Sequence, residues 1–162
     1  MRTCPATLLL TRGRRWRSRP RFAAAVDASE QETEGLARQI LKDAQALARA
    51  NDGELELLYA ERGRIGSAES RTREIVLEGL TREVNIAGGQ VHILAGDPEA
   101  ALPEFAKQRD YDVLVLGALT HRQGLAPLVG TLTSKLAEGL DCDIVLVKPK
   151  AASLPVPIRQ AV

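Results

Sequence analysis

Residues 117 to 136 read GALTHRQGLAPLVGTLTSKL, and they gather the groups in this chain best suited to gripping a phosphate. Gly130-Thr131-Leu132-Thr133 offers backbone N–H groups and two hydroxyls at the start of a helical pattern. There the unpaired amides and the positive end of the helix dipole favour an anion. Gly117 closes the apolar run DVLVLG, and 13 residues separate it from Thr131. That is a long connection for a compact α/β domain, and such connections usually carry function. From these residues alone two readings stand together: a phosphate-binding loop, or Gly130 turning the chain while Thr131 caps an ordinary helix.

The loop needs a scaffold to aim it. Five strand-length apolar runs follow one another from residue 22: FAAAV (22–26), ELELLYA (54–60), QVHILA (90–95), DVLVLG (112–117) and DIVLVK (143–148). FAAAV and DVLVLG are apolar on both faces, as central strands of a helix-covered parallel sheet are. Helical patterns separate the runs. Ser29 and Glu32 form a capping box ahead of a stripe of Leu36, Ile40, Ala44, Leu47 and Ala48, which Asn51-Asp52-Gly53 ends. A second helix over about 68–87 is expected to bury Val76, Leu80 and Val84 before Gly88-Gly89. A third starts with Asp97 as N-cap and Pro98 in its first turn, with Leu102, Phe105 and Ala106 inward. A fourth over about 131–139 buries Leu132 and Leu136, with Leu140 beside them. Strands alternating with helices mean right-handed βαβ crossovers and a parallel α/β sheet. In such sheets ligands bind beyond the carboxyl ends of the strands, at the point where the strand order reverses.

At 162 residues the chain fits one domain large enough for a real core. Aromatics make up only 3%, so that core is built from Val, Leu, Ile and Ala. No apolar run approaches the ~20 residues that span a bilayer. Cys4 and Cys142 give neither a disulfide framework nor a metal-ligand spacing, which points to a reducing cytoplasm. Net charge is +1 but uneven. Residues 1–21 hold seven arginines and no acid; of 22 basic residues this leaves 15 against 21 acids, or −6. GRRWRSRPR has the charge density to attract nucleic acid or an anionic membrane. With Trp16 alone to stack on bases, a solvated linker is the reading preferred, and no nucleic acid or membrane partner is expected. An Arg-rich, acid-free start also suits a transit peptide, but ATLLL is too short for a secretory core and no cleavage site follows.

The order of elements, the GDPEAAL helix start, the run AKQRDYDVLVLGA and the closing CDIVLVKP resemble the universal stress protein family over residues 21–149. That resemblance implies an open five-stranded parallel sheet of order 3-2-1-4-5 with helices on both faces. It also implies an adenine nucleotide, ATP with Mg as a candidate companion, held by G-x2-G-x9-G-[S/T] after the fourth strand. Gly117 takes the first position and Gly130-Thr131 the last two, with spacing intact. Thr120 stands where the second glycine belongs; its hydroxyl and His121 can still reach a phosphate, though a β-branched residue resists the φ > 0 that glycine permits. Leu132 and Thr133 complete the set, and Asp27, closing the first strand, matches the acidic residue that contacts nucleotide. The function implied is stress response with the nucleotide as a regulatory ligand and at most slow, incidental hydrolysis. The alternative is a family member without nucleotide, acting through dimerisation and protein contacts. No SGG-x-D-S loop, H-x-G-H motif or Walker A lysine loop is present to support an enzyme.

CPATLLLTRGR near the start echoes CDIVLVKPK near the end: a cysteine, a polar residue or proline, a strand, a basic exit. In tandem relatives the last strands of two such domains pair antiparallel, so residues 1–21 read as a remnant strand plus basic linker. Residues 22–149 are then the nucleotide-binding domain and 150–162 a flexible tail. DIVLVK is expected to be the free edge of the sheet, open to a second subunit or a tandem domain. ATLLL is expected to pair with it, within one chain or across a dimer. Among lesser candidates, His92 reads as a half-exposed strand residue, Cys142 as a small buried one, and Glu54 with Glu56 as solvated side chains.

Overall fold

A computed structural model describes residues 7–27, 35–61, 67–86, 90–117, 135–136 and 138–148. Six strands and three helices follow in the order β1 (Leu8–Leu10), β2 (Arg21–Ala25), α1 (Leu36–Ala50), β3 (Glu54–Glu61), α2 (Ser67–Val84), β4 (Val91–Ala95), α3 (Pro98–Arg109), β5 (Val113–Gly117) and β6 (Asp143–Val147). Residues 135–136 and 138–139 are also helical. The strands form one sheet of order β1-β6-β5-β2-β3-β4. β2 to β6 are mutually parallel, and β1 alone runs antiparallel, against β6. The expected 3-2-1-4-5 order is therefore present, with the N-terminal strand added at its edge.

Because strand side chains alternate between faces, each strand feeds two cores. Phe22, Ala24, Leu55, Leu57, Val113, Val115, Val145 and Val147 pack under α1 and α2. Ala23, Ala25, Leu58, Leu114, Leu116, Ile144 and Leu146 pack on the opposite face under Leu102 and Ala106 of α3, with Leu136 and Leu140. Asp97 caps α3 through Glu99 N (3.4 Å), with Pro98 in its first turn as the sequence indicated. In α2 the buried stripe is Leu77, Leu80 and Val84, whereas Val76 is exposed. The expected inward Val76 is thus corrected by one position: Leu77 completes the i, i+3, i+7 spacing with Leu80 and Val84, which Val76 does not. α1 begins at Leu36 after Gly35, which adopts φ 82°. Ser29 and Glu32, the expected capping box, lie outside the described residues.

β1 settles the expectation about the N-terminus and alters the one about the edge. Leu8 pairs with Leu146, Leu9 with Val145 and Leu10 with Ile144. The outer edge of β6 is therefore filled within the chain, and DIVLVK is not free.

Residues 11–20 then cross beneath the feet of the strands, largely exposed but tied to them by hydrogen bonds. Arg12 N donates to Asp143 Oδ1 (2.6 Å) and Trp16 Nε1 to Asp143 Oδ2 (2.8 Å). Arg21 N and Arg17 N donate to the two oxygens of Asp112 at 2.9 and 3.4 Å. Asp112 and Asp143 are buried at the feet of β5 and β6, and a buried carboxylate without partners is costly. The strap is ordered because it supplies those donors. Arg14 and Arg17 pair with Asp110, and the Arg14 bond comes first in holding its carboxyl below the usual aspartate range. Trp16 meets Phe22 edge to face, at 5.7 Å between ring centres.

Candidate functional site

β2 leads to β3 on one side and, through the later crossovers, has β5 on the other, so the strand order reverses between β2 and β5. Their register pairs Phe22 with Val113, Ala23 with Leu114 and Ala24 with Val115. Asp27 lies three residues beyond Ala24, and Gly117 two beyond Val115. The fold therefore brings these two expected site residues together at the carboxyl ends of neighbouring central strands. Both are partly exposed at the sheet's mouth. Thr120, His121, Gly130, Thr131, Leu132 and Thr133 lie outside the described residues.

Gly117 has a structural reason to be glycine that the motif did not indicate. A Cβ there would stand 2.9 Å from Leu36 Cδ2 and 3.1 Å from Ile40 Cδ1. Its missing side chain lets the first turns of α1 settle against the end of β5. The N-terminus of α1 is thereby held at the same end of the sheet. Its N-cap Gly35 contributes no side-chain oxygen to the first-turn amides. A carboxylate accepts hydrogen bonds, so Asp27 suits the hydroxyls of a ribose or the amine of a base. Backbone amides suit the phosphates.

A second polar group, at the opposite end of the strands, escaped the sequence reading. Glu56 is not solvated; it is 7% exposed. Its Oε1 accepts from Arg109 Nη2 (2.8 Å) and Arg21 Nη2 (3.2 Å). Oε2 accepts from the Tyr111 hydroxyl and lies 2.9 Å from His92 Nε2. Burial works against its ionisation, but the bonds from Tyr111, Arg109 and Arg21 outweigh burial and hold the carboxyl below the usual glutamate range. Burial first, and then the bond to Glu56, push the Tyr111 hydroxyl well above its ordinary value. His92 is partly exposed as expected, its ring tilted against Phe105 with centres 5.0 Å apart. Every oxygen of Glu56 is engaged, so the group ties β2, β3, β4 and α3 together and leaves no acceptor for a ligand. Its sequence signal is a strand flanked on both sides: with β2 and β4 as neighbours, alternate acids along β3 cannot all reach water.

A cavity of about 240 Å³ also lies at this far end, lined by residues including Arg14, Lys107, Asp110, Tyr111, Leu140 and Cys142. Arg14 and Asp110 already pair at its wall, 3.0 Å apart. Burial pushes the Cys142 thiol up to about 11, which leaves it a packed, unreactive group. Among the described residues no cluster of His, Cys, Asp or Glu is arranged to hold a metal, and no helix is long and apolar enough to cross a membrane.

The sheet is of the doubly wound α/β class, with an acidic residue and a glycine at its switch point. The model of the universal stress protein family matches residues 19–148, and the chain belongs to that family. The universal stress protein E homolog of Haemophilus influenzae is 25% identical over 92% of this chain and 54% of its own length. A chain from Pseudomonas aeruginosa UCBPP-PA14 assigned to the same family superposes with TM-score 0.78 at 24% identity, over 90% of this chain and 53% of its own. This chain thus spans about half the length of these relatives. Two shorter structures share the fold at lower identity. A universal stress protein in complex with cAMP gives TM-score 0.57 at 17% identity, over 79% of this chain and 95% of its own. An Arabidopsis thaliana family protein with AMP bound gives 0.55 at 18%, over 85% and 97%.

Proposed function

We propose that this stress-family protein binds an adenine nucleotide, ATP in the first instance, as a regulatory ligand with little or no turnover. The reading rests on one juxtaposition: Asp27 and Gly117 at the ends of adjacent strands β2 and β5, where the strand order reverses. Family structures with cAMP and with AMP support it. Asp27 takes the nucleoside end. The phosphates are assigned to the segment Gly130-Thr131-Leu132-Thr133, with Mg as a candidate companion. Thr120 and His121 are further candidate phosphate contacts, the threonine offering a hydroxyl where glycine would offer closeness. The compartment is cytoplasmic, consistent with a free, buried Cys142.

Two observations favour the second reading, a stress protein that works through contacts alone. Thr120 departs from the binding pattern, and Gly117 is accounted for by α1 packing without any ligand. Calorimetry with ATP, ADP and AMP on the parent and on Gly130→Val separates the two. Binding by the parent that Gly130→Val abolishes supports the first. No binding of any of the three, and no nucleotide released on heating freshly purified protein, sinks it.

A further inference from the structure

We infer that the outward face of α2, around Ile75 and Gly79, is a docking surface for the same face of a second copy of this chain. Leu77, Leu80 and Val84 turn into the core. At about 100° per residue, the middle of the solvent side of α2 then falls at Ile75 and Gly79. Ile75 is 64% exposed, and Val76 on its flank 38%. Two β-branched apolar side chains stand side by side where a surface helix normally carries polar residues.

Gly79 is a second, independent observation. It lies in the interior of an 18-residue helix, where glycine is unfavourable. A Cβ there would meet nothing within 4 Å, and the residue has no positive φ. The fold therefore gives no reason for glycine at this position. What glycine supplies is a notch, one turn from Ile75, into which another chain can settle closely.

The second copy is singled out because one face carries the ridge, the notch and both members of a charge pair. Glu83 meets Arg38 of α1 at 2.8 Å, which puts Glu83 and Val76 on the flank toward α1. Arg71 and Glu78, both exposed, share the other flank. A second α2 laid antiparallel about a two-fold axis at Ile75 sets Ile75 against its own counterpart. It sets Arg71 over the partner's Gly79 and Thr72 beside the partner's Glu78. Like flanks face each other across such an axis. Arg71 thus comes within one residue's rise, about 1.5 Å along the helix, of the partner's Glu78, and does so twice per pair. On the other flank Val76 approaches the partner's Val76. The contact is self-complementary and closes at two copies. Two helices bury less than the roughly 1,200–2,000 Å² of a stable interface, so pairing depends on concentration. α2 packs on the α1 face of the sheet, so the contact uses no strand edge and does not rest on the nucleotide reading.

Light scattering on the eluting peak over a wide range of concentration, with far-UV circular dichroism to check folding, tests it on the full chain. The parent should move from the mass of one chain toward twice that mass as concentration rises. Ile75→Arg, which sets two cations together on the axis, should stay at one chain throughout. Gly79→Ala should raise Tm at dilution, since its methyl meets nothing in the fold, yet weaken pairing. Arg71→Glu and Glu78→Arg each set like charges together twice, and each should raise Kd about tenfold. An equimolar mixture of these two variants restores both opposite-charge contacts and should regain the parent's mass. A parent that keeps one mass at every concentration overturns the inference. So does Ile75→Arg pairing as the parent does, a Gly79→Ala that lowers Tm, or a mixture as dissociated as its components.

Discussion

Glu56 gives the sharpest quantitative test of how this fold is held. In Glu56→Ala four groups lose their acceptor together: the Tyr111 hydroxyl, the Arg109 and Arg21 guanidiniums, and His92. Removing one side of a buried charged pair costs about 3–5 kcal/mol. The Arg21 and Arg109 side chains are 28% and 39% exposed and can regain water, so the lower end applies, about 3 kcal/mol. For a domain of this size each kcal/mol moves Tm by about 2–4 °C, which predicts a fall of about 6–12 °C. Glu56→Gln should cost less, about 1–2 kcal/mol. Its carbonyl can serve the arginines while its amide faces Tyr111 and His92, each able to accept. The pH dependence fixes the mechanism. The Glu56 carboxyl is lowered in the folded state, so its contribution is complete above the ordinary glutamate range and disappears as pH falls through the folded value. The gap between parent and Glu56→Gln should be full at neutral pH, begin to shrink as pH falls through the ordinary glutamate range, and be gone only below the lowered folded value. Urea titrations of all three proteins at neutral and acid pH measure it. A Glu56→Ala within 1 kcal/mol of the parent, or a Gln gap as large in acid as at neutrality, refutes the argument.

Four shorter tests accompany it. Thr120→Gly should bind ATP as tightly as the parent or tighter by calorimetry; a large loss would make the threonine hydroxyl itself a ligand. Gly117→Ala should cost about 1–3 kcal/mol in urea unfolding, since the new methyl meets the flexible ends of Leu36 and Ile40. Gly53→Ala should cost more, because its Cβ would lie 2.5 Å from the Pro20 carbonyl oxygen, a backbone atom that cannot swing away. Cys142, with a thiol near 11, should resist alkylation in the folded protein at neutral pH and react once denaturant is added, as read by peptide mass spectrometry.

The central parallel strands were legible because they are apolar on both faces, a pattern that survives without knowing its neighbours. FAAAV and DVLVLG became the buried centre of the sheet, β2 and β5. Capping signals were equally local: Asp97 and Pro98 needed only each other to start α3. Val76 was misplaced because α2 carries apolar residues at both 76 and 77. Periodicity alone offers two nearly equivalent stripes, and only the position of α1 decides between them.

Charge was harder to read, and for one physical reason. Counting arginines in residues 12–21 describes their average surroundings as water, but a charge is settled by what lies across from it in space. Asp110, Asp112 and Asp143 stand at the feet of β5 and β6, about 90 to 130 residues from the arginines and backbone amides they receive. Glu56 hides from the sequence in the same way, since its partners come from β2, β4, the end of α3 and the turn after it. The ligand end behaves differently. Asp27 and Gly117 were identified by position in a motif, and the parallel ladder between β2 and β5 carries them to one place whatever their side chains do. Backbone topology thus suffices to bring these two residues to one end of the sheet. The ion pairs that brace the opposite end depend on side chains meeting across the fold, and only coordinates reveal them.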